Sequence, residues 1–251
     1  MMKNRVPPIK FVNIALSPWS EKARWAMDYT ETHYQSIPFT PMITNLKARY
    51  LSKNFTSELT IPIAVDGQQI LNDSFEIAKN TNNKTQNKNL FPAGYREELS
   101  SWNELSEQLL KITRIRVIPR MKANKHLMLA LLPSFIPDWL KPFMGAIAKK
   151  SLDDLAKKYP VDDQASEKQL KDGLNRLRTA LKESGGGYIL GGFSYADICM
   201  SVVFQFIFPV ENELFPIDDL VRETWVDESI KEEFSDLIAW RDFIYRQHRH
   251  S

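Results

Sequence analysis

The sequence predicts an α/β domain followed by an all-helical one, and three observations carry that prediction. Strand-like runs fall in the first third of the chain. Two of them lead into a hydroxyl or carboxylate at the opening of a helical pattern. Beyond residue 96 apolar residues recur at helical spacing and β signals largely stop. In order, the apolar run from Phe11 to Leu16 is the first strand. Ser17-Pro18-Trp19-Ser20 then opens the first helix, where a proline at the first position loses only an N–H that would have no partner in any case. Tyr34 to Phe39 reads as a second strand and is followed by a mixed connector. Residues 60–71 form two strands around Asp66-Gly67, a hairpin signal, with Pro62 at the start of the first strand, where proline is tolerated. Asn72-Asp73-Ser74 opens the next helix.

The order is βαβ followed by ββα, a thioredoxin-like arrangement. The polar, Asn-rich stretch Lys79–Asn89 reads as the passage between domains, which sets the boundaries at 1–83, a linker at 84–95 and a helical domain at 96–251. Leu99, Trp102, Leu105, Leu109 and Ile112 lie on one helical face. Leu170, Leu174, Leu177 and Leu181 repeat that pattern up to Gly185-Gly186-Gly187, and Phe234, Leu237, Ile238, Arg241, Ile244 and Tyr245 suggest a last helix. Ser194-x-x-Asp197 before an apolar run reads as a capping box, a structural cap. Cys199, on the same run, reads as an inert core residue.

Strand-to-helix junctions such as Ser17-Pro18 point unpaired N–H groups of the first helical turn at a hydroxyl, a favourable place for an anion or thiolate. From these residues the chain resembles the cytosolic glutathione S-transferases over nearly its whole length. Ser17-Pro18-Trp19-Ser20 stands where the thioredoxin fold has Cys-x-x-Cys. Ile61-Pro62 is similar to the apolar residue and cis-proline step, and Asp73-Ser74 to the acid-Ser pair. Leu90-Phe91-Pro92 with Arg96 and Trp102, and Gly191-Gly192-Phe193-Ser194-Tyr195-Ala196-Asp197, resemble the entries into the helical domain and its central helix. The resemblance implies glutathione as co-substrate. It implies Ser17 at the thiolate, with Ser20 as fallback, and Ile61, Pro62, Asp73 and Ser74 as the glutathione-binding set. It also implies a homodimer. The chain departs from the family pattern at Asn54-Phe55, where Asn-Pro is usual, at Glu58-Leu59-Thr60 before Ile61-Pro62, and at Asn80, where tyrosine is common.

Composition fits a globular chain of one large or two ordinary domains, with 251 residues, 43% hydrophobic and 25% charged. Its net charge of +2, from 33 basic and 31 acidic residues, argues against a nucleic-acid surface. A lone cysteine excludes an internal disulfide and Cys-x-x-Cys chemistry. No apolar leader follows the first residues, so a cytoplasmic location is expected. The histidines His33, His126, His248 and His250 do not form a metal-ligand pattern, and His248 and His250 read as a solvated tail. Residues 126–150, an apolar stretch interrupted by prolines, read as an insertion packed over the site or a subunit interface, with contact to a membrane surface as the alternative.

The expected activity is conjugation of the glutathione thiolate to a hydrophobic electrophile, with Ser17 stabilising the thiolate. Two alternatives stand beside it: a noncatalytic binding or interaction protein of the same fold, and a glutathione-dependent reductase. Serine at position 17 argues against the reductase, whose chemistry needs a sulfur nucleophile there.

Overall fold

The structure, a computed structural model, describes residues 7–40, 44–85, 87–124 and 163–249, with scattered positions between 127 and 153. Most of the stretch at 126–150, with His126 and His250, lies outside the described residues. The chain groups into two compact units. One comprises residues 1–103, 188–202 and 246–251, and the other residues 104–187 and 203–245.

In the first unit a four-stranded sheet has the order β2-β1-β3-β4. Strand β1 (Ile9–Asn13) runs parallel to β2 (Tyr34–Pro38) and antiparallel to β3 (Ile63–Asp66), and β4 (Gln69–Leu71) folds back on β3. Helix α1 (Pro18–Tyr29) makes the βαβ crossover, and Gly67, with φ of +60°, takes the left-handed conformation in the β3–β4 turn. Alternation along β1 sends successive residues to opposite faces. Ile9 and Phe11 pack with Ala23 and Met27 of α1 and Ile77 of α3 (Ser74–Asn82), while Val12 packs with Ile63 and with Ala48 of α2 (Asn45–Ser52). The thioredoxin-like order expected from the sequence is therefore present.

Three local expectations are corrected. The mixed connector contains α2, whose buried residues are only Ala48 and Ser52 while Leu46 and Tyr50 face solvent, so no apolar stripe announced it. Helix α3 continues through Lys79–Asn82 into the Asn-rich stretch, because Ile77, Ala78 and Thr81 are buried, and Asn82 accepts the Leu90 N–H at 2.7 Å. His248 is not a solvated tail residue: its ring stacks on Phe193 at 3.8 Å between centroids and is hydrogen-bonded to the Tyr188 hydroxyl at 2.9 Å.

Helix α4 (Arg96–Ala123) follows. In the second unit, α5 (Asp163–Glu183) buries Leu170, Leu174 and Leu177 completely, and a Cβ at Gly173 would meet Leu109 of α4 at 2.8 Å, so glycine permits that approach. Helices α7 (Asp219–Trp225), α8 (Glu228–Glu233) and α9 (Ser235–His248) complete the described residues, with Arg116 and Arg120 both paired to Asp227 ahead of α8.

Helix α6 (Tyr195–Val203) is capped as the sequence predicts. Asp197 accepts from the Ser194 N–H at 2.8 Å, the Ser194 hydroxyl at 2.9 Å and the Ile189 N–H at 2.9 Å. The Tyr195 N–H donates to the Leu90 carbonyl at 2.9 Å, tying the helix to the segment that follows α3. Cys199 is fully buried on this helix. Burial pushes the Asp197 carboxyl up to about 6, against the hydrogen bonds that favour its charge. An acid whose folded value is raised loses stability as pH climbs from its unfolded value, about 4, through 6. Asp197→Asn should therefore unfold at lower urea at every pH, because an amide cannot accept at both oxygens. Its deficit against the parent should widen by about 2 kcal/mol between pH 7 and pH 4, where the parent regains the ionisation cost. Ser194→Ala should cost about 1 kcal/mol, read from the same denaturation curves.

Candidate functional site

Sheet topology brings three chain segments to one end of the first unit. Val12 pairs with Ile63, so the residues that leave β1 toward Ser17 lie beside those that enter β3 from Ile61-Pro62. Strand β4 runs back to the same end, with Leu71 opposite Ala64, and delivers Asp73 and Ser74 there.

At that end Ser17 is the N-cap of α1, half-buried, with extended backbone (φ −82°, ψ 124°). Its hydroxyl oxygen accepts the Ser20 N–H at 3.4 Å and its carbonyl accepts the Glu21 N–H at 2.9 Å. Accepting through the oxygen leaves the hydroxyl hydrogen available to donate. Pro18 occupies the first helical position. Ser20 is placed differently. It is fully buried and its hydroxyl oxygen accepts the Ile14 N–H at 3.1 Å, which closes the strand-to-helix turn from inside. The Ile61-Pro62 peptide is cis, with Pro62 buried and Ile61 half-buried. Asp73 is the N-cap of α3, exposed, accepting the Glu76 N–H at 2.8 Å, and Ser74 is buried at the first helical position. Two helix N-termini, each with an oxygen-bearing cap, thus open at the same end of the sheet, an arrangement suited to a ligand with negatively charged groups. Asn80 donates to Asp66 of the β3–β4 turn at 2.7 Å. Burial raises the Asp66 carboxyl, but hydrogen bonds from Lys84 and Asn80 outweigh it and hold the group below the usual range.

A cavity of about 910 Å³, lined by Pro8, Ile9, His33, Tyr34, Asp66 and Lys84 among others, lies where β1 and β2 begin, at the opposite end of the sheet from Ser17. Its position separates it from the helix mouths. Among the described residues no cluster of three or more His, Cys, Asp or Glu could hold a metal, and no helix is long and apolar enough to cross a membrane.

Behind the helix mouth lies a polar network that sequence reasoning missed. Glu21, 1% exposed, is ion-paired to Arg24 on its own helix and to Arg249 Nε at 2.6 Å. Arg24 also donates to Asn13 Oδ1 at 3.0 Å, and Asn13 donates to Ser36 of β2 at 2.8 Å. Arg249 continues to Asp28 at 2.8 Å, and Asp28 accepts the Tyr34 hydroxyl at 2.9 Å. Burial pushes the Asp28 carboxyl up, with Arg249 working against it, and burial together with Asp28 raises the Tyr34 phenol. The only sequence signal for this network was Glu21-x-x-Arg24 at helical spacing; nothing near α1 announces Arg249.

Residues 11–85 match the N-terminal domain of glutathione S-transferases. No curated protein matches the chain by sequence. Among solved structures, a glutathione transferase of Phanerochaete chrysosporium is similar over 97% of this chain and 96% of its own, with a TM-score of 0.63 at 16% identity. A glutathione transferase of Ceriporiopsis subvermispora, solved in complex with glutathione, covers 96% and 95% (TM-score 0.58, 16% identity). A beta-etherase of a Sphingobium strain covers 95% of each chain (TM-score 0.60, 14% identity). Residues 11–85 are thus similar to a glutathione S-transferase N-terminal domain, and the chain as a whole has the fold of these solved structures.

Proposed function

We propose that this protein binds glutathione at the Ser17 end of the sheet and transfers its thiolate to a hydrophobic electrophile. The observation that carries the reading is the placement of Ser17: a half-buried cap whose hydroxyl can donate at the N-terminus of a twelve-residue helix. A free thiol ionises near pH 8.5, and a hydroxyl donor plus a helix N-terminus both favour its anion. Ser17 donates and does not attack, so it needs no base. In this reading the Ile61 backbone holds the cysteinyl part of glutathione beside Pro62, and Asp73 with Ser74 holds the γ-glutamyl end. The enzyme is taken as a cytoplasmic homodimer, for which exposed Leu46, Tyr50 and Phe55 offer an apolar surface.

Calorimetry with glutathione tests the reading directly. The parent should bind. Asp73→Asn, which keeps the cap oxygen and removes the charge, should bind at least tenfold more weakly, as expected for a hydrogen bond to a charged group. Ser17→Ala should keep most of the affinity and lose about a hundredfold in turnover with an electrophile, the effect of removing one donor to a developing or resident anion. Absence of binding by the parent would favour the noncatalytic binding protein.

Ser20→Ala separates scaffold from site. It removes the side-chain acceptor of the Ile14 N–H and should cost about 1 kcal/mol in urea unfolding. Glutathione affinity of the folded protein should stay near the parent's; a selective loss of turnover instead would move the thiolate role from Ser17 to Ser20.

A further inference from the structure

We propose that Arg249 is a positioning residue for the Ser17 helix mouth, balancing the buried charge of Glu21 so that the mouth remains favourable to an anion. The proposal rests on the reading of Ser17 as the thiolate-holding residue and extends it to a residue far along the chain.

The geometry is direct. Glu21 lies one helical turn beyond Ser17, and its N–H donates to the Ser17 carbonyl at 2.9 Å. Its carboxylate is buried beneath the mouth, where a lone negative charge would oppose a thiolate through a poorly screening interior. Two guanidinium groups meet it, Arg24 from the same helix and Arg249 at 2.6 Å. Arg24 is also engaged by Asn13, and Arg249, itself 9% exposed, also holds Asp28. Lys22, the remaining basic residue on this part of α1, is fully buried and donates to Asn103 at 3.3 Å. The ion pairs here join Glu21, Arg24, Asp28 and Arg249.

The segment that delivers Arg249 is firmly seated. The Trp25 indole N–H of α1 donates to the His248 carbonyl at 3.0 Å. The His248 ring stacks on Phe193 and is bonded to Tyr188. Arg249 itself makes two ion pairs, to Glu21 and Asp28, and its neighbour His248 adds the indole–carbonyl bond and the ring stack. Glu21 follows Ser17 by four residues, a rise of about 6 Å along α1. Across about 10 Å of protein, one charge changes an ionisation equilibrium about tenfold when the effective dielectric constant is about 20.

A thiol introduced at the mouth reads this without glutathione. Ser17→Cys is made with Cys199→Ala, so that only the reporter thiol alkylates, and the alkylation rate by iodoacetamide is followed against pH. Adding Arg249→Gln should lower the rate at pH 7 about tenfold and move the midpoint upward. Arg249→Lys should keep most of the rate. Glu21→Gln combined with Arg249→Gln should restore it, because one acid and one arginine then remain and the network's excess negative charge is gone. An unchanged midpoint in the folded Arg249→Gln protein would overturn the proposal. So would a loss that persists in the double substitution, which would mean that Arg249 only braces the fold. Calorimetry with glutathione on the same parent protein fails separately: no binding there removes the glutathione reading, while the reporter thiol still decides the role of Arg249.

Discussion

A carboxylate buried in the first turns of α1 constrains much of the first unit. Interior charges are costly unless paired and hydrogen-bonded, and Glu21 is 1% exposed. One partner, Arg24, comes from the next turn of the helix. The other, Arg249, comes from the far end of the described chain, so residues 246–249 must return to α1 and group with the first unit. The same requirement explains the burial of polar groups around it. Asn13 connects Arg24 to β2 through Ser36, and Asp28 connects Arg249 to Tyr34, so both edges of the network end on the parallel neighbour of β1. Removing one arginine would leave the buried acids with one balancing charge too few, whereas a surface pair of the same residues would contribute little.

The second constraint is strand direction. β1 and β2 run parallel, and β3 runs against β1, so the exit of β1, the entry of β3 and the exit of β4 meet at one end. No side chain chooses this; it follows from one crossover helix and one tight hairpin. It places the caps Ser17 and Asp73 together and sends the hairpin turn, with Asp66 bound to Asn80 and Lys84, to the other end. Asn80 is thereby committed to the hairpin turn.

Legibility from sequence followed how local each determinant is. The capping box at Ser194 and Asp197, the Asp66-Gly67 hairpin and the Ser17-Pro18 helix start are encoded within a few residues, and each is present. Helix α2 escaped because its outward Leu46 and Tyr50 and inward Ala48 and Ser52 invert the usual apolar stripe. The end of α3 escaped because an Asn-rich composition hid the buried Thr81 and the bond that Asn82 accepts from the Leu90 N–H. His248 and Arg249 look like a polar tail in sequence, and only the fold supplies Phe193, Tyr188, Glu21 and Asp28 as their partners. Ser20 illustrates a finer limit. Two serines three residues apart are equivalent as letters, yet one caps the helix at its mouth and the other is sealed against the Ile14 N–H.

That distinction also bears on which chemistry the mouth can run. Thiol–disulfide exchange requires a sulfur that attacks and then leaves. Ser17 offers oxygen, and the chain's sole cysteine, Cys199, is fully buried with its thiol 3.6 Å from Asn103 Oδ1, the atom that also accepts from Lys22. A buried thiol in such surroundings is inert toward large disulfide substrates. A serine hydroxyl at a helix N-terminus can instead donate to a thiolate carried by another molecule without changing covalently. On the proposed reading the nucleophile belongs to the co-substrate and the protein's task is to hold an anion, which is where the balance between Glu21 and its two arginines would act.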